Sequence, residues 1–150
     1  MNYFLYSWIF FSMIGFSSES VFTGVKKILG SVKSKKPVDW HLSCETWLWT
    51  PVVYGLSAAV GFHPAVQSWA GVADLTWPLR GLIYTAGIFG IEFFWGWLLD
   101  QTIGFCPWDY GKTKWSVKGY IRLDYWPSWF AFGMILEQAG LIFARIFPCL

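Results

Sequence analysis

Charge is scarce in this sequence: 13% of its residues are Asp, Glu, Lys or Arg, against about 25% in soluble globular domains. The formal net charge of +2 leaves no basic surplus for holding nucleic acid. Cys44, Cys106 and Cys149 are scattered, with no CxxC pair and no histidine close enough to complete a metal set, so they read as free thiols. His41 and His63 fall in predicted loops at opposite ends of one predicted helix and read as solvated. No GxSxG occurs and no serine stands beside a plausible base, which excludes visible hydrolase machinery. The single asparagine, Asn2, forms no glycosylation sequon that would fix sidedness. The N-terminus lacks a basic leader region and a small-x-small cleavage site, so the first apolar segment is expected to remain as a membrane helix.

Apolar and aromatic residues fill the space that charge leaves. Hydrophobic residues make up 55% of the chain and aromatic residues 22%, including 12 Trp. Trp and Tyr concentrate where hydrocarbon meets headgroups, so the composition predicts one integral membrane domain with well-marked interfaces. Four stretches approach the length of about 20 apolar residues that a span requires: residues 3–25, 45–62, 79–99 and 126–147. The expected fold is all-α, a single bundle of about four transmembrane helices over residues 1–150. The half-apolar stretch from His63 to Pro78, too short to span after its proline, is expected to lie in the interface between helices two and three.

Nine of the eleven basic residues fall in two connections, 26–36 and 112–122. A four-span topology puts both on one side, cytoplasmic by the positive-inside rule, with both termini on the other side. The two halves also carry a weak likeness, Trp49-Pro51-Gly55 against Trp126-Pro127-Gly133, of the kind that internal duplication leaves in transporters.

Three predicted helices hold a carboxylate inside the apolar run, each with a glycine one turn away: Gly15 and Glu19, Glu92 and Gly96, Gly133 and Glu137. Residues four apart share a helix face, so each acid sits beside a notch where another backbone can approach. An acid at a helix centre costs roughly 2.5–3.5 kcal/mol on insertion scales, so three of them imply a use. The functional reading is an interior ligand or ion site built from Glu19, Glu92 and Glu137 with Tyr54, Arg80 and Thr85 nearby. Against it stands a purely structural role, polar glue between helices or an ion pair with Arg80 or Arg122.

The run Cys106-Pro107-Trp108-Asp109-Tyr110 follows the third helix, and Gly111-Lys112-Thr113 follows it in turn. Cys106 stands where a phosphate-binding loop needs glycine, and a helix precedes it instead of a strand, which excludes an ATPase. Pro, Asp and Gly suit a tight turn in which the Asp side chain bonds backbone two residues on, anchored at the interface by Trp108 and Tyr110.

These residues resemble the small membrane-protein family called transmembrane protein 229 in animals, whose bacterial relatives are labelled type IV ABC-transporter-like. The likeness rests on Gly15 through Thr23, Trp49 with Tyr54-Gly55, Arg80, Ile83-Tyr84-Thr85, Glu92, Gly96, the CPWDY run, Leu123-Asp124-Tyr125, Trp129 and Glu137-Gln138. The lysine-rich first connection and Asp124, where a glutamate is more usual, depart from the animal pattern. The resemblance implies a four-helix membrane protein of transport-associated role.

The leading expectation is a non-catalytic substrate-binding or transport subunit without a cofactor, residing in the lipid bilayer and working with other membrane subunits or further copies of itself. A structural subunit of a larger complex is the alternative. A lipid-modifying enzyme using Asp109 and Glu92 as acid and base comes third, because no nucleophile or metal cluster accompanies them.

Overall fold

The computed structural model describes residues 2–41 and 43–148; Cys149 lies outside them. Helix α1 runs Tyr3–Lys33, capped by the Asn2 side chain, which accepts from the Leu5 N–H at 3.3 Å. It continues eight residues past the expected end, because Val25 to Lys33 holds no proline and lysine is a good helix former. Lys26, Lys27 and Lys33 therefore lie on the helix, not in a loop. The chain leaves at Lys35, whose φ of 53° breaks the repeat ahead of Pro37.

The second apolar stretch is the largest departure from expectation. In place of a helix over 45–62, the chain is irregular until Thr50, then forms a π-helical segment, Pro51–Leu56, that passes directly into a short α2, Ser57–Gly61. Pro51 sets the start, since it lacks the N–H that would tie it into a preceding helix. A short α3, Pro64–Trp69, and a 3-10 turn, Val72–Asp74, form the connector that follows. Helix α4 spans Trp77–Ile103 and ends on Gly104 at φ 81°. Helix α5 spans Trp126–Ile146, with Pro127 in its first turn.

The connection between α4 and α5 contains a two-stranded antiparallel hairpin absent from the sequence expectation, β1 Ser116–Val117 and β2 Ile121–Arg122. Lys118 and Gly119, at φ 55° and 81°, supply the two positive φ values of a type I′ turn.

Contacts place the legs alternately up and down. α1 meets the 43–62 leg through Thr23–Glu45, Ser12–Gly55 and Phe11–Phe62, and it meets α5 through Tyr3–Phe143 and Phe22–Tyr125. α4 meets α5 through Tyr84–Gly133 and Arg80–Glu137. Glycines set the closest approaches: a Cβ on Gly133 would stand 2.6 Å from the Tyr84 Cβ, and one on Gly15 3.1 Å from the Thr50 Cγ2. The apolar core at the α1, α2 and α5 crossing holds Phe11, Ala58, Ala59 and Leu136.

Two helices are long and apolar enough to cross a membrane, Trp77–Ile103 and Leu123–Ile146 with its leading 3-10 turn. Only 28% and 22% of their most apolar windows are buried. The fold is thus all-α apart from the hairpin, with five α-helices among the described residues. Of the four expected spans, two are such helices; α1 is less apolar, and the apolar helical part of the second leg, Pro51–Gly61, is too short to span.

Candidate functional site

Two cavities lie one above the other along the bundle. The first, 240 Å³, is lined mainly by apolar residues of α2, α4 and α5 and by the connector around Val66 and Val72. The second, 360 Å³, lies toward the basic end, beneath the CPWDY run. Gly15, Tyr54 and Phe132 line both, so they form the layer between them.

Glu19 projects from α1 into the wall of the second cavity. Its Oε2 accepts the hydroxyls of Thr46 and Thr50, each at 2.6 Å, and the Trp47 N–H at 3.4 Å. The irregular backbone before Pro51 is thereby tied to α1, and a negative group stands at the start of a helical segment, where the backbone dipole favours it. Among the described residues, Oε1 accepts no hydrogen bond and no ion pair reaches Glu19. Lys26 lines the same cavity from an exposed position. Its neighbour Lys27 is engaged elsewhere, with Glu45 at 3.0 Å and the Ser43 carbonyl at 2.6 Å.

Glu92, on α4, is completely buried. Its Oε1 accepts the Tyr110 hydroxyl at 3.1 Å and, more loosely, the Tyr54 hydroxyl at 3.5 Å; its Oε2 is buried with no partner among the described residues. Both tyrosines also line the second cavity, so Glu92 stands directly behind its wall. A buried carboxyl oxygen left bare is costly and calls for a proton, a cation or a water.

The CPWDY run is held by its own turn. Asp109 accepts the Gly111 N–H at 2.8 Å, the Asx turn its composition predicts. The Trp108 indole donates to the Tyr120 carbonyl at 3.0 Å, and the Tyr110 N–H donates to the Gly119 carbonyl at 2.9 Å, so the hairpin fastens the run over the cavity. Gly119 is needed there twice over, for its positive φ and because a Cβ would stand 2.5 Å from the Asp109 Oδ1. Pro107 is buried and Asp109 exposed. Burial raises the Tyr110 hydroxyl well above its ordinary pKa, with the Glu92 charge adding to it, so it stays a donor. Burial also pushes the Cys106 thiol, which is free, up to about 11.

Glu137 stands apart from the other two acids. Arg80 Nε lies 2.6 Å from its Oε1, too poorly aligned for a hydrogen bond but close enough for a strong ion pair, and Arg80 Nη2 donates to its Oε2 at 3.4 Å. The Tyr84 hydroxyl donates to Oε1 at 2.8 Å. Thr85 donates to the Gly81 carbonyl at 2.7 Å and makes no hydrogen bond to a glutamate among the described residues. Arg122 pairs with Asp124 at 2.8 Å instead of reaching Glu137.

Of the six residues expected to share a site, Glu19, Glu92 and Tyr54 gather around the second cavity, Arg80 and Glu137 pair toward the other end, and Thr85 serves its own helix. Sequence reasoning missed Thr46, Thr50 and Trp47, which hold Glu19. The available signal was Thr50 directly before Pro51, a helix-start pattern.

Polar and small residues are thus turned inward, and two long apolar helices stand largely uncovered, which defines a helical class suited to a membrane. Within it, residues 6–146 match the family described as "Putative ABC-transporter type IV", and the chain belongs to that family. No solved structure matches the chain.

Proposed function

We propose that this chain is a multi-pass membrane protein with an interior ligand site, acting as a non-catalytic substrate-binding or transport-associated component. One observation carries the reading. A 360 Å³ cavity meets a carboxyl group, Glu19, that among the described residues has one unbonded oxygen and no ion-pair partner, and it backs onto a fully buried acid with an oxygen equally unpartnered there. That volume lies within the roughly 300–1,000 Å³ usual for small-molecule sites.

The membrane placement draws on an inverted pattern of burial. Ser7, Ser12, Thr50, Thr85, Glu92 and Glu137 are buried, while Ile135, Leu141, Ile142 and Ile146 on α5 and Leu79, Leu82 and Phe94 on α4 are exposed. Lipid favours that arrangement, which water penalises. The four legs cross as α1, the 43–62 leg, α4 and α5. The second is a broken helix whose irregular part is tolerated because α1 side chains bond it: Thr23 accepts the Glu45 N–H at 3.2 Å, and Glu19 accepts from Thr46, Trp47 and Thr50. Broken helices at a binding site are a recurrent device of transporters. The basic end of α1 with the residues to 36, and the basic connection 112–122, then face the cytoplasm and both termini the opposite side. Four helices leave little room for a full translocation path, so partner subunits or further copies are required. The CPWDY run and the placed glutamates extend the relationship to the animal transmembrane protein 229 proteins.

The test is purification of the full chain from its native membrane in mild detergent, followed by mass spectrometry of every protein and small molecule that accompanies it. A bound small molecule, or a stoichiometric ATPase subunit, supports the reading. Membrane subunits other than an ATPase, with no small molecule, would overturn it in favour of a structural subunit.

A further inference from the structure

The second cavity has an unusual wall for a site beside acids. Seven of its fifteen lining residues are aromatic, and its charged groups are Glu19, Asp109 and the exposed Lys26. Thr46 and Thr50 fix one oxygen of Glu19, which leaves the other without a hydrogen bond among the described residues. Asp109 spends Oδ1 on its own turn. The chemistry of the wall discriminates among cations. A calcium ion needs six to eight oxygen ligands and magnesium an octahedron of them, whereas nearly half of this wall is aromatic rings. A primary ammonium needs several acceptors for its three N–H donors. A quaternary ammonium has no N–H to satisfy and is held by aromatic faces with one counter-charge nearby.

We propose that this cavity binds a quaternary ammonium group, with Glu19 as counter-charge and Trp47, Trp108 and Tyr110 as the aromatic wall. The inference rests on the ligand-site reading above and names the ligand class. A second feature supports it independently: the Trp129 indole N–H is buried, has no acceptor among the described residues, and belongs to a residue of the same wall. A choline hydroxyl or a phosphodiester on the same ligand would offer an oxygen of the kind this donor lacks. The apolar cavity beyond Gly15, Tyr54 and Phe132 gives room for a chain attached to that headgroup. The quaternary ammonium therefore comes from a free choline-like cation or from a choline-headgroup lipid.

The experiment titrates choline into the purified full chain in a maltoside detergent and follows tryptophan fluorescence and heat. Its neutral carbon isostere, 3,3-dimethyl-1-butanol, and potassium chloride serve as comparisons. Parallel samples in nanodiscs of phosphatidylcholine or phosphatidylglycerol read the lipid source. The expected result is saturable binding of choline, or selective retention of phosphatidylcholine through detergent extraction, with the isostere and potassium at least tenfold weaker. Glu19→Gln keeps an oxygen acceptor for Thr46 and Thr50 and lowers affinity at least tenfold. Trp47→Leu, a substitution at a half-exposed ring that makes no indole hydrogen bond, lowers it several-fold. Equal binding of the isostere, an unchanged Glu19→Gln affinity, or no choline or phosphatidylcholine binding by folded protein overturns the proposal. If the native purification still yields a different small molecule that Glu19→Gln loses, the ligand class alone is wrong. If no bound molecule appears in either experiment, the ligand-site reading beneath it fails too.

Discussion

At the Arg80 end of the bundle, Glu137 meets a guanidinium at 2.6 Å and a tyrosine hydroxyl at 2.8 Å. At the opposite end, Glu19 and Glu92 meet hydroxyls and one backbone N–H, and each keeps an oxygen without a hydrogen bond among the described residues. The first arrangement sets the acid against a guanidinium within the fold. The second is incomplete and borders a cavity. The three acids thus divide by partner chemistry: Glu137 is a fastening between α4 and α5, and the other two are held in place without an ion-pair partner among the described residues. A glutamate beside a glycine looks the same in sequence in all three cases.

The sharpest way to break this contrast is Arg80→Ala, which strands Glu137 nearly buried. Removing one partner of a buried pair costs roughly 3–5 kcal/mol. A thermal-unfolding scan should show a large fall, and the double variant Arg80→Met with Glu137→Met should recover most of it. Glu19→Gln and Glu92→Gln, by contrast, are expected to hold stability within about 1 kcal/mol, because each amide still accepts the hydroxyls that hold the acid. A loss as large as that of Arg80→Ala would place all three acids in one structural class.

Gly133→Ala tests the α4–α5 fastening more gently. A methyl 2.6 Å from the Tyr84 Cβ must push the helices apart, at a cost of typically 1–3 kcal/mol. Gly87→Ala on α4 meets nothing within 4 Å and should be neutral or slightly stabilising. The smallest effect is chemical. With its thiol raised to about 11, Cys106 is almost wholly protonated at neutral pH. Its maleimide labelling rate should rise about tenfold per pH unit from 7 to 9, as the thiolate fraction does, where an exposed cysteine levels off near about 8.5. A plateau at that pH would show that the CPWDY run lies open.

The long elements were legible because each rests on one dominant signal. α4 and α5 begin within two residues of the expected positions, where Pro78 and Pro127 sit in a first turn. The second leg was not legible, since an apolar run with Pro51 near its start reads equally as a short span or as a broken helix, and side chains of α1 decide between them. The hairpin escaped because two-residue strands carry no periodicity, and its Lys118-Gly119 turn is a weak signal beside an Asn-Gly pair. The glycine notches were readable by spacing, and Gly15, Gly96 and Gly133 each receive a neighbouring side chain. Which acid would find an arginine was not readable, because Arg80 lies 57 residues from Glu137 in sequence.

The most direct measurement is native mass spectrometry of the gently purified full chain beside its Glu19→Gln, Glu92→Gln double variant. A ligand site predicts a small-molecule adduct on the wild type that the folded double variant has lost. An identical spectrum from both proteins, or no adduct on either, would show that Glu19 and Glu92 serve the fold alone.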